Sequence, residues 1–215
     1  MNTPQKISVL LADDHRIVME GLRSILEPEY NLVGMAENGR VLVDLALTHN
    51  PDVIVADISM PLLNGLDVMA MLKQQGCRSK FIFLTMHKDV TYASKAIQGG
   101  AVGYVLKHSA SEELLRALQA VLNGEKFISK EIASSLESSE HVVEGIEEQG
   151  TLTLRQREVL QLFAEGKSAK EVAQTLGISA RTAENHKARI MSHLKLHTTA
   201  DLVQYAIRHG LITAS

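Results

Sequence analysis

Five short runs rich in β-branched and aliphatic residues, at 7–12, 32–36, 53–56, 81–85 and 104–106, alternate with five segments at 15–26, 41–48, 66–75, 90–98 and 112–122 whose apolar residues recur at helical spacing. This alternation constrains the fold more than any other feature, because strands separated by a helix-length crossover must lie parallel. The strand runs are apolar on successive residues rather than on every second one, which requires a sheet covered on both faces. Residues 1–125 are therefore expected to form a five-stranded, doubly wound parallel α/β sheet. In such a sheet the functional crevice lies at the carboxyl ends of the strands, so the residues just after each run carry the most information.

Past residue 122 the alternation fades into the serine pairs Ser134-Ser135 and Ser138-Ser139 among acidic residues, so 126–149 reads as a partly helical, flexible linker. Net charge is −2 over residues 1–128, −5 over 129–150 and +4 over 151–215. A basic module beyond an acidic stretch points to a polyanion partner for the last segment. That segment, 150–215, carries four closely spaced helix starts: Thr153 with Gln156, Ser168 with Glu171, Ser179 ahead of 180–194, and Thr198 or Thr199 ahead of 202–208. The first two have the capping-box spacing, and together the four predict a small all-α domain.

Composition narrows the setting. The chain has 215 residues, enough for two domains, and no apolar run approaches the ~18–20 residues that span a bilayer. The start lacks the apolar core of a secretory signal, and Cys77 is a single cysteine with no partner for an internal disulfide. A soluble, cytoplasmic protein that does not touch the membrane is expected.

Within the first 125 residues, the strand-end rule selects Asp13 and Asp14 after the first run, Asp57 after the third, Thr85 at the end of the fourth and Lys107 after the fifth. Any one aspartate at a strand end is more often a solvated loop residue; five matched positions outweigh that reading. Three carboxylates in one crevice repel one another unless a cation neutralises them, which requires a metal, the lysine or both. Hard oxygen ligands with positions left for water suit Mg2+. A carboxylate beside such a cation can act as a nucleophile toward a phosphoryl group, and Asp57 is the central acid. In the turn from Asp57 to Asp67, Pro61 stands where the chain reverses and Gly65 where a left-handed backbone is expected.

The set Asp13-Asp14, Asp57-x-x-Met60-Pro61-x-x-x-Gly65, Thr85 and Lys107 resembles the receiver domain of two-component response regulators over about residues 6–125. The resemblance implies that Asp57 accepts a phosphoryl group, that Asp14 and Asp57 bind Mg2+ with the Ser59 carbonyl, and that Asp13 holds the metal through water. It also implies that Thr85 and Lys107 bind the phosphoryl oxygens, with Thr85 and an inward-turning Tyr104 as the switch pair. His108 follows Lys107 where many receivers carry proline.

In the C-terminal segment, Ser168 to Leu176 forms a short amphipathic helix, Gly177-Ile178-Ser179 a tight turn, and 180–194 a second helix, which is helix-turn-helix spacing. Val172, Ala173, Leu176, Ile178, Ala183, Ile190 and Leu194 make the apolar stripe, leaving Arg181, Glu184, Asn185, Lys187, Ala188 and Arg189 to face outward. Residues 151–209 resemble the LuxR-type helix-turn-helix through Leu152-Thr153-x-Arg155-x-x-Glu158-Val159-Leu160, Gly166-Lys167-Ser168, Lys170-Glu171-Val172-Ala173 and Ile178-Ser179-x-x-Thr182-x-x-Asn185-His186. A receiver joined to such a module resembles the NarL/FixJ class. That likeness implies a second helix in the major groove of double-stranded DNA, with Glu184, Asn185 and Ala188 at base edges and Lys170, Arg181, Thr182, Lys187 and Arg189 sharing base and backbone contact.

The combined expectation is a transcription regulator, not an enzyme, that a sensor histidine kinase phosphorylates on Asp57. The modified chain would form a homodimer aided by Leu202, Val203 and Ala206 of the last helix, with RNA polymerase as a further partner. Three alternatives compete. A phosphoaspartyl hydrolase on a related sheet favours a second acid two residues after the nucleophile, where this chain has Ser59. A LuxR regulator that senses a small molecule leaves the acid-and-lysine pocket unexplained. A receiver that serves only as a constitutive dimerisation unit predicts DNA binding indifferent to a phosphodonor.

Overall fold

The computed structural model describes residues 6–139 and 152–212, so the expected linker from residue 140 onward lies outside the described residues. The chain divides into two compact units, one N-terminal and one C-terminal. The first runs β1 (Ser8–Ala12), α1 (Arg16–Leu26), β2 (Asn31–Ala36), α2 (Gly39–His49), β3 (Val53–Ala56), α3 (Gly65–Gln74), β4 (Lys80–Thr85), α4 (Val90–Gln98), β5 (Gly103–Leu106), α5 (Ala110–Leu122), β6 (Phe127–Ile128) and α6 (Lys130–Ser139). The strands pair in parallel in the order β2-β1-β3-β4-β5-β6. The doubly wound sheet is thus present, with one strand more than the periodicity predicts. β6 has two residues, too few to leave a periodic signal, and pairs with the edge of β5 through Gly103 with Phe127 and Tyr104 with Ile128.

Successive strand residues point to opposite faces, and both faces are covered. Val9, Leu11, Val53, Val55, Ile82, Leu84 and Val105 form one core with Met19, Leu22 and Leu26 of α1 and Leu114, Leu118 and Val121 of α5. Their neighbours Leu10, Ile54, Phe81, Phe83 and Tyr104 are buried too, as are Leu42 of α2, Met69 and Leu72 of α3, and Ala93 and Ala96 of α4. This double burial is why the strands read as continuous apolar runs.

The strand order reverses its winding between β1 and β3, and the backbone sets the two strand ends side by side. The Asp57 N–H donates to the Ala12 carbonyl at 2.8 Å, and the Asp13 N–H to the Ala36 carbonyl at 3.0 Å. The loop from β3 to α3 folds back on the strand end: the Gly65 N–H donates to the Ile58 carbonyl at 2.8 Å, and Asn64 caps α3 by accepting from the Asp67 N–H at 3.0 Å. Gly65 is not left-handed, contrary to expectation; the left-handed residue of this loop is Leu62, at φ 70°. What selects glycine is proximity, since a Cβ on Gly65 would lie 2.2 Å from the Asp57 carbonyl oxygen and 3.1 Å from the Phe83 ring.

The second unit contains α7 (Leu154–Ala164), α8 (Ala169–Leu176), α9 (Ala180–His193) and α10 (Thr199–Arg208). Thr153 with Gln156, Ser168 with Glu171 and Thr198 with Asp201 form reciprocal capping boxes, and the Ser179 hydroxyl accepts from the Thr182 N–H at 3.0 Å. Each satisfies a helix N–H that would otherwise lack a partner. Gly177 ends α8 at φ 64°, the left-handed conformation that lets α9 leave at an angle. Val159, Leu160, Leu162, Val172, Ala183, Ile190, Leu202 and Ala206 make one core. That placement corrects part of the expected dimer surface: Leu202 and Ala206 are 1% and 0% exposed, so neither is free to meet a second chain, while Val203 is half-buried.

Candidate functional site

Asp13, Asp57, Thr85 and Lys107 converge at the carboxyl edge of the sheet, as the strand-end rule predicts. The Lys107 ammonium bridges two carboxylates, with Nζ 2.7 Å from Asp13 Oδ2 and 2.7 Å from Asp57 Oδ2. These side chains are 8%, 2% and 5% exposed, so the bridge works at low dielectric, where charges interact strongly. Burial alone pushes the Lys107 ammonium below its ordinary value. The charge of Asp57 and the hydrogen bonds to Asp13 and Asp57 outweigh that, and the net direction is upward. The lysine therefore keeps its proton across neutral pH and gives it up only in alkaline solution. The other Asp57 oxygen, Oδ1, accepts from the Ile58 N–H at 2.6 Å and the Ser59 N–H at 3.4 Å.

Asp14 stands nearer the rim, its side chain 33% exposed, and His15 reaches both neighbours with Nδ1 2.8 Å from Asp14 Oδ1 and 3.1 Å from Asp13 Oδ1. Ligand atoms of Asp13, Asp14, His15 and Asp57 all lie within 4.8 Å of one another. Three clustered carboxylates offer hard oxygen donors with rim space for water, so this is an acidic pocket of the kind that binds Mg2+.

On the other side of Asp57, Thr85 and Tyr104, the pair expected to act as the switch, hold one loop. Thr85 is fully buried, and its Oγ1 accepts from the His87 N–H at 3.3 Å. Tyr104 is fully buried as well, and its hydroxyl donates to the His87 carbonyl at 2.9 Å. Burial, then the negative charges of Asp57 and Asp89, push the Tyr104 hydroxyl upward, so it remains a donor. The His87 ring stacks on Tyr92 at 4.2 Å between centroids, and its Nε2 lies 2.6 Å from the Ser59 hydroxyl oxygen. Burial pushes His87 below the usual histidine range against the opposing pull of Asp57 and Asp89. His15 and His87 are not among the expected site residues. Both sit at strand ends, next to Asp14 and two residues after Thr85, so the same rule contained the signal. Lys107 opens a short 3-10 turn, Lys107–Ser109, and the described residues include no cis peptide.

In the second unit Lys170, Arg181, Glu184, Asn185, Ala188 and Arg189 are exposed, while Ala183 and Ile190 face the core. On α9 the exposed positions follow the i, i+3, i+4, i+7 spacing of a single face. Two expected members of that face turn elsewhere. The Thr182 hydroxyl pairs with the Ser179 hydroxyl at 2.7 Å, and Lys187 lies over the Phe163 ring with Nζ 4.8 Å from its centroid. A cation over an aromatic face is attracted by the ring, and nothing in the spacing of α9 reveals that Phe163 of α7 would be there.

An acidic pocket at the carboxyl edge of a parallel sheet, followed by a helix-turn-helix unit, defines a two-domain regulator class. Residues 9–119 match the response regulator receiver domain, and residues 150–206 match the luxR family of bacterial regulatory proteins. The chain belongs to the two-component response regulators of the NarL/FixJ family. It is similar to the transcriptional regulatory protein MctR of Rhizobium johnstonii, with 34% identity covering 99% of each chain. It is also similar to the transcriptional regulatory protein DesR of Bacillus subtilis, with 36% identity over 95% of this chain and 98% of the relative. Among solved structures it resembles RcsB from Salmonella enterica serovar Typhimurium bound to a promoter in the presence of the phosphomimetic BeF3−, at TM-score 0.60 and 30% identity over 94% of this chain and 98% of the other. Among the described residues no helix is long and apolar enough to cross a membrane.

Proposed function

We propose that Asp57 is phosphorylated by a partner histidine kinase or a small phosphodonor, and that this controls dimerisation and sequence-specific binding of α9 to DNA. The observation that carries the reading is Lys107 Nζ at 2.7 Å from both Asp13 and Asp57. A buried cation there meets the negative charge that develops on a transferring phosphoryl group. A carboxylate oxygen of Asp57 attacks phosphorus; an O–P bond forms as the bond to the donor breaks, and the donor's histidine or acetate departs. Asp13, Asp14, Asp57 and the Ser59 carbonyl would hold Mg2+, whose charge offsets the crowded carboxylates and the phosphoryl oxygens. Lys107 and the Thr85 hydroxyl bind those oxygens, and Thr85 and Tyr104 are the switch.

The chain modifies itself once per cycle and turns over no outside substrate. Incubated with acetyl phosphate and Mg2+, it takes up at most one phosphoryl equivalent, and Asp57→Asn or removal of the metal with a chelator abolishes the label. Mass spectrometry reads the outcome; label persisting at one equivalent on the Asn variant contradicts the assignment, and steady release of phosphate from generic phosphate esters favours a hydrolase.

The modified chain dimerises through surfaces other than Leu202 and Ala206 and binds a two-fold related site in cytoplasmic DNA, from which RNA polymerase is regulated. Lys170, Arg181 and Arg189 supply cationic contact, Glu184, Asn185 and Ala188 face base edges, and Thr182 and Lys187 hold α9 in place. Asn185→Ala is expected to weaken binding to a duplex selected from a random pool by about 1–3 kcal/mol, concentrated at one base pair, because a bidentate amide contact to adenine is lost. Titration against single-base variants of that duplex checks it: an equal loss on every variant points to backbone contact instead.

A further inference from the structure

The segment that leaves the sheet toward the second domain is fastened to β5 at both ends of its short strand. Beyond the β6 pairing, the Ser129 N–H donates to the Tyr104 carbonyl at 2.8 Å, and the Leu106 N–H donates to the Ser129 hydroxyl at 3.1 Å. Ser129 also donates to Glu113 of α5, and Ile132, on the first turn of α6, is fully buried. α6 itself lies against α4.

One residue then makes a contact of another kind. Glu131 of α6 receives Lys88 Nζ at 2.9 Å and His108 Nε2 at 3.4 Å. Lys88 immediately follows His87, whose N–H Thr85 holds and whose carbonyl Tyr104 holds. His108 immediately follows Lys107, the partner of Asp57. Both partners of Glu131 are therefore one peptide away from residues set by the pocket. The Lys88 hydrogen bond, against an opposing desolvation and helped by the charges of Lys88 and then His108, holds the Glu131 carboxyl below its ordinary range.

We infer that Glu131 is a latch that ties α6 to the two pocket loops while Asp57 is unmodified, and that phosphorylation opens it. The inference rests on the proposed function. A phosphoryl group on Asp57 draws the Thr85 hydroxyl toward its oxygens. Thr85 Oγ1 can no longer accept from His87, and the loop carrying Lys88 moves with that change. Lys107 re-centres on the same oxygens and takes His108 with it. Ser129 and Ile132 remain as the fixed anchor, so what is released is the outer part of α6, which precedes the DNA-binding domain in the sequence.

Amide hydrogen exchange of residues 132–139 in the full chain tests this. Glu131→Ala, without phosphodonor, is expected to speed exchange there by roughly threefold, the scale on which exposed ion pairs act. Acetyl phosphate with Mg2+ speeds it in the wild type and adds little in the variant, and the exchanged pair Lys88→Glu with Glu131→Lys restores the slow exchange. Unchanged exchange in Glu131→Ala overturns the latch whether or not Asp57 is modified. Unchanged exchange in a wild type shown by mass to carry the phosphoryl group overturns its opening. A wild type that takes up no label fails the proposed function instead, which the mass alone reveals.

Discussion

Replacing Lys107 with methionine is expected to destabilise the receiver by about 3 kcal/mol at neutral pH, because removing one partner of a buried ion pair leaves the other uncompensated. Here two carboxylates are left, Asp13 and Asp57, with side chains 2% and 5% exposed. Methionine keeps the length and apolar stem of lysine, so packing loss does not account for the change. By contrast, the pair of Arg23 with Glu27 has both side chains 49% exposed, and its loss should leave stability almost untouched. Millimolar Mg2+ should recover part of the Lys107→Met deficit by replacing the missing charge. Labelling of Asp57 by acetyl phosphate should also slow by roughly a hundredfold, the usual scale for losing one preorganised contact to developing charge. Chemical denaturation with and without Mg2+, alongside the labelling rate, measures both. A variant as stable as wild type without metal contradicts the electrostatic account of the pocket.

Gly65→Ala is the second large effect. The added methyl would sit 2.2 Å from the Asp57 carbonyl oxygen, a backbone atom that no rotamer change can move aside. Overpacking typically costs about 1–3 kcal/mol, and the upper end applies where the obstructing atom is main chain. The strand end and the start of α3 must separate, so Asp57 loses its alignment with Lys107 and labelling should fall with stability. Gly21, whose Cβ would meet nothing within 4 Å, is the control. Gly21→Ala, inside α1, should be neutral or slightly stabilising, since alanine favours a helix. If both substitutions behave alike in thermal melts, close approach is not what Gly65 provides.

These two positions also mark how far sequence reasoning reaches. The doubly wound sheet is legible because each strand and helix is long enough to repeat its own period, and 53–56 and 90–98 coincide with β3 and α4. The residues at strand ends are legible because topology, not local detail, brings Asp13, Asp57, Thr85 and Lys107 together. Where the reading departs from the structure, the cause is a neighbour distant in sequence. Gly65 is glycine on account of Asp57 and Phe83 rather than its own φ. Lys187 turns from the outer face of α9 because Phe163 lies beneath it, and Leu202 and Ala206 are apolar because they fill their own domain rather than a dimer. β6 escapes notice because two residues hold no period, while β5 offers the free edge that recruits them.

The central claim, that modification of Asp57 controls the helix-turn-helix, is tested most directly by DNA affinity. The measurement is the dissociation constant of the full chain for a selected duplex, with and without acetyl phosphate and Mg2+, for wild type and Asp57→Asn. Coupling between sites of this kind is typically 1–3 kcal/mol, so the wild type should bind roughly tenfold more tightly when phosphorylated, and Asp57→Asn should show no response. Equal affinity of the labelled and unlabelled wild type would contradict the account and leave the receiver as a constitutive scaffold.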